Sequence, residues 1–253
     1  MIIEEKTVNS KIEGDAKLWR YMDFTKLVSL ISTQSLYFCR SDKFKDVFEG
    51  KIFGLKDRYK TLEDGKYPNE ELKVEILKRA KGLVGLIEGK SKDDRLTTFV
   101  NCWHLNEYES AAMWNLYLKS NEGIAIQTTF DKIKKSLEVC EEGIIVGKVD
   151  YIDHIKEYNY RESMVYQYFT KRLSFKHEEE VRLVYSETVN NNDLSSDYKY
   201  ISGQNIKVDI SNLIERVYVS PDADPWFVDV VKVVLEKFNI DAEVIHSKLY
   251  ELN

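Results

Sequence analysis

The chain has 253 residues, of which 43% are hydrophobic and 32% are charged, the composition of an ordinary globular protein. A folded chain of this length buries roughly 70–75% of its unfolded surface, so its core needs no disulfide or metal staple. The formal net charge of −6 argues against broad, non-specific adhesion to nucleic acid, although it leaves room for a local basic cleft.

The cysteines and the apolar segments bear on the compartment in which the protein resides. Cys39, Cys102 and Cys140 are far apart and form no CxxC pair, which favours free thiols in a reducing compartment. No stretch approaches ~18 consecutive apolar residues, and the N-terminus lacks an apolar run of signal-peptide length. We therefore expect a cytoplasmic protein with no membrane partner.

The first forty residues predict a strand, a helix and a second strand. Residues 1–16 are polar, and we expect them to be ordered only by contact with the body of the protein. A strand at 18–22 precedes a helix at 24–34, whose apolar residues recur at i, i+3, i+4 and i+7 and which Asp23 or Thr25 could cap. The segment 35–40 alternates in the manner of a strand.

A structured loop follows these elements. In this loop we expect Phe44 and Phe48 to enter the core while Asp46 and Glu49 anchor the chain. This interpretation makes the loop mainly structural.

A heavily charged helical pattern then runs from 68 to 92, with an apolar stripe along it and glycines in its middle. Together with its flanks at 66–94, it predicts a protruding helical insertion. A charged amphipathic helix of this kind is typical of a solvated outer layer.

Beyond residue 95, strands and helices alternate without the regularity of βαβ units. The predicted strands span 96–104, 123–129, 144–152, 177–187, 199–203, 205–210, 214–220 and 242–247. The predicted helices span 108–119, 130–138, 160–175 and 221–240, with Ser110 and Asp224 as caps and Pro225 in a first turn. A polar turn lies at 190–197. The pattern predicts a single α+β domain over residues 1–253, with a mixed, mostly antiparallel sheet flanked by helices.

Several common catalytic signatures are absent from the sequence. It contains neither of the two glycine-rich phosphate loops, G-x-G-x-x-G and G-x-x-x-x-G-K-[ST]. The four histidines form no His-Glu-x-x-His pair, so we expect no metal. No G-x-S-x-G elbow supports acyl transfer by a serine.

Two polar clusters lie in the first fifty residues. Arg20 stands between Trp19 and Tyr21 on a short strand, and its guanidinium suits a carboxylate or a phosphate. The structural alternative is a salt bridge to an internal acid. Arg40 and Ser41 open the structured loop, in which carboxylates are interleaved with aromatic rings.

Two further clusters lie later in the chain. Trp103 and His104 share a strand, and Trp114 and Tyr117, three residues apart on one helical face, could form a stacking wall or simply core. The richest cluster surrounds the acidic triplet 178–180. If that segment is a strand, Glu178, Glu180 and Arg182 line one face, and they are costly to bury unless paired or bound to a ligand. A solvent-facing strand edge is the alternative.

These segments together resemble a bacterial and phage family known as domain of unknown function 2971. The resemblance extends from about residue 17 to 247. It rests on the order and spacing of LWRYM, LYFCRSDKFKDVFEG, NCW, ESAAMWNLY with GIAIQ, KRLSFKHEEEVRLV and IERVYVSP. The family carries no firm biochemical function.

The family's arrangement is remotely similar to ADP-ribosyltransferase-like folds, which include toxins and phage-defence proteins that use NAD. Such folds place an Arg or His on an early strand, an aromatic or hydroxyl residue on a second strand, and a Glu on a late strand. The resemblance assigns these positions to Arg20, to Tyr37 with Ser41, and to Glu178 or Glu180. The serine–threonine–serine strand motif is missing, and three consecutive acids leave the catalytic one open.

The resemblance implies NAD as the ligand and no metal. Arg20 would hold the pyrophosphate or ribose, and Glu180 would stabilise the positive charge that develops when the glycosidic bond breaks. The aromatic wall for nicotinamide would come from Tyr21, Trp103 or Trp114. The remaining ligand contacts are expected from Tyr37, Arg40, Ser41, His104, Tyr117, Lys171, Arg172 and Arg182.

Three functions stay open at this point. An ADP-ribosyltransferase-like enzyme requires Arg20 and Glu180 to converge on one pocket, and it fails if they face opposite sides of the sheet. A non-catalytic ligand- or protein-binding module requires every acid of the cleft to be paired with Arg20, Arg172 or Arg182. A magnesium-dependent nuclease requires three acids within reach of one ion, from Asp42, Asp46, Glu49, Glu178 and Glu180. The expected partners are a nucleotide-like ligand and a protein or nucleic-acid target, with the oligomeric state open.

Overall fold

The computed structural model describes residues 2–8, 11–154, 156–157, 159, 163, 165–187 and 201–252. The strands are β1 Ile2–Ile3, β2 Lys17–Asp23, β3 Ser35–Arg40, β4 Thr98–Leu105, β5 Gly123–Thr129, β6 Ile144–Lys148, β7 Asp150–Ile152, β8 Thr170–Arg172, β9 Glu180–Ser186, β10 Gly203–Lys207, β11 Arg216–Val219 and β12 Glu243–His246. The α-helices are α1 Phe24–Thr33, α2 Leu55–Glu63, α3 Glu70–Thr97, α4 Ala111–Tyr117, α5 Phe130–Ser136, α6 Ile210–Leu213 and α7 Pro225–Lys237. Short 3₁₀ turns cover Ser41–Lys43, Leu137–Val139, Tyr166–Phe169 and Leu173–Glu178.

Ten strands form one mixed, mostly antiparallel sheet. Its main path runs β1-β6-β9-β4-β2-β5-β11-β12, and β3 joins it by pairing with both β4 and β10. Only the outer pairs β1/β6 and β11/β12 are parallel within this sheet. A separate parallel pair is formed by β7 and β8.

The sheet divides at β4. One edge of β4 pairs continuously with β9 from Thr98 to His104. The opposite edge pairs with β2 only near its C-terminal end, where His104 faces Trp19, and with β3 only near its start, where Val100 faces Cys39. Between these two contacts β2 and β3 part, and α1 is the segment that connects them.

One face of the sheet carries the main hydrophobic core. Leu18 and Met22 of β2 and Phe99 and Trp103 of β4 point to this side, because residues two apart on a strand share a face. Helices α1, α5, α6 and α7 cover it with buried residues, among them Leu27, Ile133, Leu213 and Val231. The other face packs against α4 and the 3₁₀ turn Tyr166–Phe169.

Most predicted elements are confirmed. The sheet is mixed and mostly antiparallel, the helices flank it, and the charged segment near 68–92 lies in α3, where the Asn69 side chain accepts from the Leu72 amide as an N-cap. The Ser110 hydroxyl caps α4 by accepting from Met113 N, and Pro225 occupies the first turn of α7. No described helix is long and apolar enough to span a bilayer.

Other predictions are wrong. The helix predicted over 160–175 is, in its described part, two 3₁₀ turns joined by β8, and α2 was not predicted. The strand predicted over 144–152 breaks at Val149 into β6 and β7. Phe48, expected in the core, is 40% exposed. The polar turn at 190–197 lies outside the described residues, and the limits drawn for the N-terminal segment and the insertion stay predictions.

Candidate functional site

A cleft of about 830 Å³ opens where β2 and β3 part. Its floor comes from β2, β3 and β4, and its walls come from α1, α4, the loop 44–49 and the turn before β9. Ligand pockets commonly have volumes of roughly 300–1,000 Å³, so this cleft is large enough for a nucleotide-sized molecule.

The guanidinium of Arg20 occupies the gap between the parted strands. Its Nη1 donates to the carbonyl oxygen of Cys102 at 3.0 Å, and its Cζ lies 5.8 Å from the centroid of the Trp103 ring. Arg20 forms no ion pair with a described carboxylate. Burial lowers the pKa of Arg20, against the opposing effects of Cys102 and Tyr117, but a guanidinium remains charged. The cleft therefore contains a partly exposed cation without an anionic partner.

Arg20 and Glu180 belong to opposite faces of the sheet by register. Trp19 and Glu180 both pair with His104, so these three side chains share one face, and Arg20, next to Trp19, starts from the other. Because the sheet is parted here, the guanidinium of Arg20 still reaches the cleft, and both side chains line the same cavity. By register the two residues therefore meet the condition stated above for rejecting an ADP-ribosyltransferase-like enzyme, since they start from opposite faces of the sheet. The requirement that they converge on one pocket is nevertheless met, because both line the same cavity.

The carboxylates of Glu178 and Glu180 meet at one lysine. Lys171 Nζ lies 2.7 Å from an oxygen of each. Tyr117, on α4, donates its hydroxyl to the same oxygen of Glu178 at 3.3 Å. The prediction that both carboxylates project from one strand is wrong, because Glu178 ends the 3₁₀ turn and Glu180 begins β9. All three charged residues are at least 93% buried.

A second buried cation stands behind this pair. Arg182 donates through Nε to the other oxygen of Glu180 and binds both oxygens of Glu49, at 2.6 and 3.0 Å, as well as the carbonyl of Tyr168. Three carboxylates and two cations thus form one network, whose net charge is −1 when all are ionised. A single proton makes the network neutral.

The environment separates the acidities of the two glutamates. Burial raises the pKa of Glu178 to about 7, and the hydrogen bond and charge of Glu180 add to this effect while Lys171 opposes it. Burial also works against ionisation of Glu180, but the charges of Arg182 and Lys171 outweigh it and hold its pKa well below the ordinary value. At neutral pH Glu180 is a fixed anion and Glu178 gains and loses a proton.

The backbone of the triplet is held on several sides. Tyr151 Oη accepts from the amide of Glu180 at 2.8 Å, and the Val149 amide donates to the Glu180 carbonyl at 2.9 Å. Leu105 N donates to the carbonyl of Glu179, whose backbone is left-handed at φ 37°. A non-glycine residue in this region costs about 1 kcal/mol or more, so the surrounding bonds fix a bend that places both neighbouring carboxylates on Lys171.

Aromatic residues supply part of the cleft wall. Tyr21, Tyr37, Trp103 and Tyr117 line it. His104 also lines it and contacts the carbonyl oxygen of Glu178 through Nδ1 at 2.7 Å. Since a carbonyl only accepts, Nδ1 carries the proton, and burial lowers the pKa of His104 and keeps the ring neutral.

Five predicted ligand contacts lie outside the cleft lining. Trp114 packs edge-on against Tyr21 at 4.9 Å and donates its Nε1 to Glu109, so Trp114 and Tyr117 do not form a common wall. Arg40 pairs with Asp42, and the Ser41 hydroxyl donates to the carbonyl of Arg95.

The other two are arginines held by acids. Arg172 pairs with Asp46 at 2.9 Å, and Arg182 is fully buried between Glu49 and Glu180. Asp46 and Glu49 do anchor their loop, as predicted, through these two arginines.

Several lining residues were missed. Lys45 and Lys119 line the cleft without a carboxylate partner among the described residues. Cys39, Cys102 and Phe175 also line it, and burial raises the pKa of both thiols. Both lysines follow from no motif, because each stands in a loop whose path depends on the tertiary fold.

The described acids do not assemble a metal site. No group of three His, Cys, Asp or Glu side chains among them could hold an ion. Asp42, Asp46, Glu49, Glu178 and Glu180 are each within 3.0 Å of an arginine or lysine nitrogen. The arrangement proposed for a magnesium-dependent nuclease is therefore not present in this part of the chain.

Comparison with known proteins gives little. No protein-family model and no curated protein matches the chain, so membership of the domain-of-unknown-function family stays a prediction. Three solved structures of DarT from Thermus sp. 2.9 are similar to it. The complex with carba-NAD+ has a TM-score of 0.41 at 8% identity, covering 94% of this chain and 98% of that one. The complex with ADP-ribosylated ssDNA has a TM-score of 0.39 at 9% identity, covering 95% of this chain and 98% of that one. The complex with NAD+ has a TM-score of 0.39 at 8% identity, covering 94% of this chain and 98% of that one.

With TM-scores near 0.4, this likeness does not establish a shared fold.

Proposed function

We propose that the cleft binds NAD and that the protein transfers its ADP-ribosyl group to an acceptor. The observation that carries the proposal is the pair Glu178–Glu180, one carboxylate ionised and the other titrating near neutrality, in the same nucleotide-sized cleft as the unpaired Arg20. A pair of acids with separated pKa values is the usual arrangement for two distinct catalytic roles.

The ligand-binding half of the proposal rests on charge and aromatic surface. Arg20, Lys45 and Lys119, which form no ion pair with a described carboxylate, offer three cations to a pyrophosphate, and an arginine fork binds phosphate oxygens in pairs. Tyr37 and Tyr117, which are 44% and 41% exposed, offer surfaces against which an aromatic ring can pack, whereas Tyr21 and Trp103 line the cleft but are buried. The rest of the protein is acidic overall, which makes this local cationic set a specific feature of the cleft.

The catalytic half follows from the chemistry of the glycosidic bond. When the bond between ribose C1′ and the nicotinamide nitrogen breaks, the electron pair leaves with nicotinamide and positive charge develops on the ribose. The Glu180 carboxylate, held by Lys171 and Arg182, stabilises that charge. The acceptor oxygen or nitrogen then bonds to C1′ and passes its proton to ionised Glu178.

The test is nicotinamide release from NAD by the purified full chain, followed by chromatography. We expect wild-type turnover, with kcat reduced about 10²- to 10³-fold in Glu180→Gln, because an electrostatic contact made in the transition state is lost. Arg20→Gln should raise KM more than it lowers kcat. Glu107→Gln, an exposed acid outside the cleft, is the matched control and should behave as wild type.

The rate should also rise with pH through about 7, since Glu178 acts as a base only when ionised. No turnover by the wild type with water, protein or nucleic-acid acceptors, or equal turnover by Glu180→Gln, would reject the proposal.

A non-catalytic nucleotide-binding module is the second candidate, and one observation favours it. Every described acid of the cleft has a cation partner, Asp46 with Arg172, Glu49 and Glu180 with Arg182, and Glu178 with Lys171. The expected pairing with an arginine is thus met by three of these acids, whereas the partner of Glu178 is a lysine. In this case calorimetry would detect NAD or ADP-ribose binding that Arg20→Gln weakens, without nicotinamide release by any form of the protein.

A further inference from the structure

A continuous row of planar side chains runs outward from the mouth of the cleft. It consists of Phe175, Arg172, Phe48, His154 and Phe53, and we refer to it as the stacked row. The Arg172 guanidinium lies between two rings, 5.2 Å from Phe175 and 4.8 Å from Phe48. Phe48 then meets His154 edge-on, with ring centroids 5.4 Å apart, and His154 stacks on Phe53 at 3.6 Å. Phe175 itself lines the cleft, so the row starts where the proposed reaction takes place.

The central part of the stacked row is open to solvent. Phe48 is 40% exposed, the Arg172 side chain is 36% exposed, and the flanking Val47 and Leu173 are more exposed still. Internal packing does not explain this, because residues placed only to hold a loop would be covered. Exposed apolar groups gathered beside a cleft mark a surface for a partner.

The charges around the stacked row indicate the kind of partner. Lys45, Lys51 and Lys176 are exposed close to it in sequence, and none forms an ion pair with a described carboxylate. The acids beside the row are already occupied, Asp46 by Arg172 and Asp153 by Lys156. Burial, with the charge of Arg172, lowers the pKa of His154 and disfavours its charged form. The surface therefore combines unpaired cations with flat faces in a protein whose net charge is −6.

We propose that the stacked row binds a single-stranded nucleic acid and delivers one of its nucleotides to the cleft as the ADP-ribosyl acceptor. An unstacked base packs on the exposed part of the Phe48 ring, which Arg172 supports from within the row, and the lysines contact phosphates. A duplex is excluded, because its bases are already stacked on one another. A protein segment fits less well, since it would supply neither the repeated negative charge nor the series of rings. The role as acceptor site rests on the proposed function, but the binding itself does not.

The experiment measures fluorescence anisotropy of 5′-fluorescein-labelled dT12 and rU12, and of a blunt 12-base-pair duplex, with the full chain and no NAD. We expect both single strands to bind more tightly than the duplex. The ratio of the dT12 and rU12 affinities shows whether DNA or RNA is preferred. Phe48→Ala should weaken binding about tenfold or more, the loss of one base stack. Trp226→Ala removes an exposed aromatic residue outside the row and should bind as wild type.

A second variant covers the case in which Phe48→Ala does not fold. The exposed pair Lys51→Gln and Lys176→Gln, both outside the cleft lining, should weaken binding and flatten its salt dependence by about 1.4 in log–log slope, at about 0.7 per single-strand phosphate contact. Absence of single-strand binding, duplex binding as tight as single-strand binding, or unchanged affinity in both row variants would overturn the inference. Transfer of label from NAD to protein but to no oligonucleotide would overturn it as well. If strands bind the row but NAD is not turned over, the proposed function fails and the binding surface stands.

Discussion

The substitution Glu178→Gln tests the charge network at its most sensitive point. The folded chain takes up a proton at Glu178 more readily than the unfolded chain, because burial raises its pKa from 4.5 to about 7. Between these pH values the folded state binds more protons, so the free energy of unfolding falls as pH rises. This contribution is fully present below pH 4.5 and is lost as pH rises through 7. Glutamine is neutral at every pH and keeps a hydrogen-bonding group beside Lys171.

The magnitude follows from the same shift. A rise from 4.5 to about 7, at about 1.4 kcal/mol per pH unit, corresponds to about 3–3.5 kcal/mol over the whole titration, most of which falls between pH 4.5 and pH 8. Glu180 does not obscure the effect, because its pKa is lowered and its contribution is lost only at pH values below this window. The free energy of unfolding of the variant, minus that of the wild type, should therefore increase by up to about 3 kcal/mol between pH 4.5 and pH 8.

Urea denaturation of both proteins at half-unit steps over that range measures the difference. A carbon-13 titration of the Glu178 carboxyl, assigned from the signal missing in Glu178→Gln, gives its pKa directly. A difference in unfolding free energy that stays constant across the range, or a carboxyl that titrates near 4.5, would refute the interpretation of the buried network.

Three other substitutions have defined outcomes. Arg20→Met should abolish ADP-ribose binding, because it removes the cation of the cleft that pairs with no described carboxylate, and should cost about 1 kcal/mol of stability, because the Cys102 carbonyl loses a donor. Calorimetry and denaturation measure the two effects, and ADP-ribose binding as tight as in the wild type would contradict this. Tyr151→Phe should lower the free energy of unfolding by about 1–3 kcal/mol and lower kcat more than it changes KM, because the Glu180 amide loses its acceptor. Denaturation and steady-state kinetics measure these effects. If the control Tyr59→Phe lowers kcat equally, the Tyr151 hydroxyl has no positioning role. Glu179→Val should be less stable than Glu179→Gly by about 1–2 kcal/mol in thermal unfolding, because valine fits the left-handed backbone at this position poorly and glycine fits it well. Equal stabilities of the two variants would show that the backbone at Glu179 is not strained.

The local pattern of the sequence was sufficient to predict most of the sheet. Strands such as β5 and β11 are apolar and lie between clear helix signals, and α7 combines regular apolar spacing with a proline in its first turn. The segment 160–175 was predicted as a helix because its aromatic residues recur at helical spacing. In the structure Tyr168 and Phe169 are buried by tertiary contacts with β4 and β9, and these contacts override the local preference.

The site was only partly accessible from the sequence. The need of Glu178 and Glu180 for charged partners could be predicted, because burying a carboxylate is costly unless it is paired, and their functional role stays a prediction. Their partners could not be predicted, since Glu49 reaches Arg182 across 133 residues of sequence and Tyr151 reaches Glu180 across 29. Strand alternation alone also places Arg20 on the wrong face, because the parting of β2 from β3 depends on the pairing of three strands.

The parting of these strands makes α1 a spacer. The helix begins directly after β2, and one residue separates its end from β3. The packing of Leu27 and Ile31 against the sheet therefore sets the distance between the two strands. Repacking beneath this spacer would alter the aperture of the cavity while leaving its acids and cations in place. Ligand size could thus be tuned, by natural variation or by design, at positions that never touch the ligand.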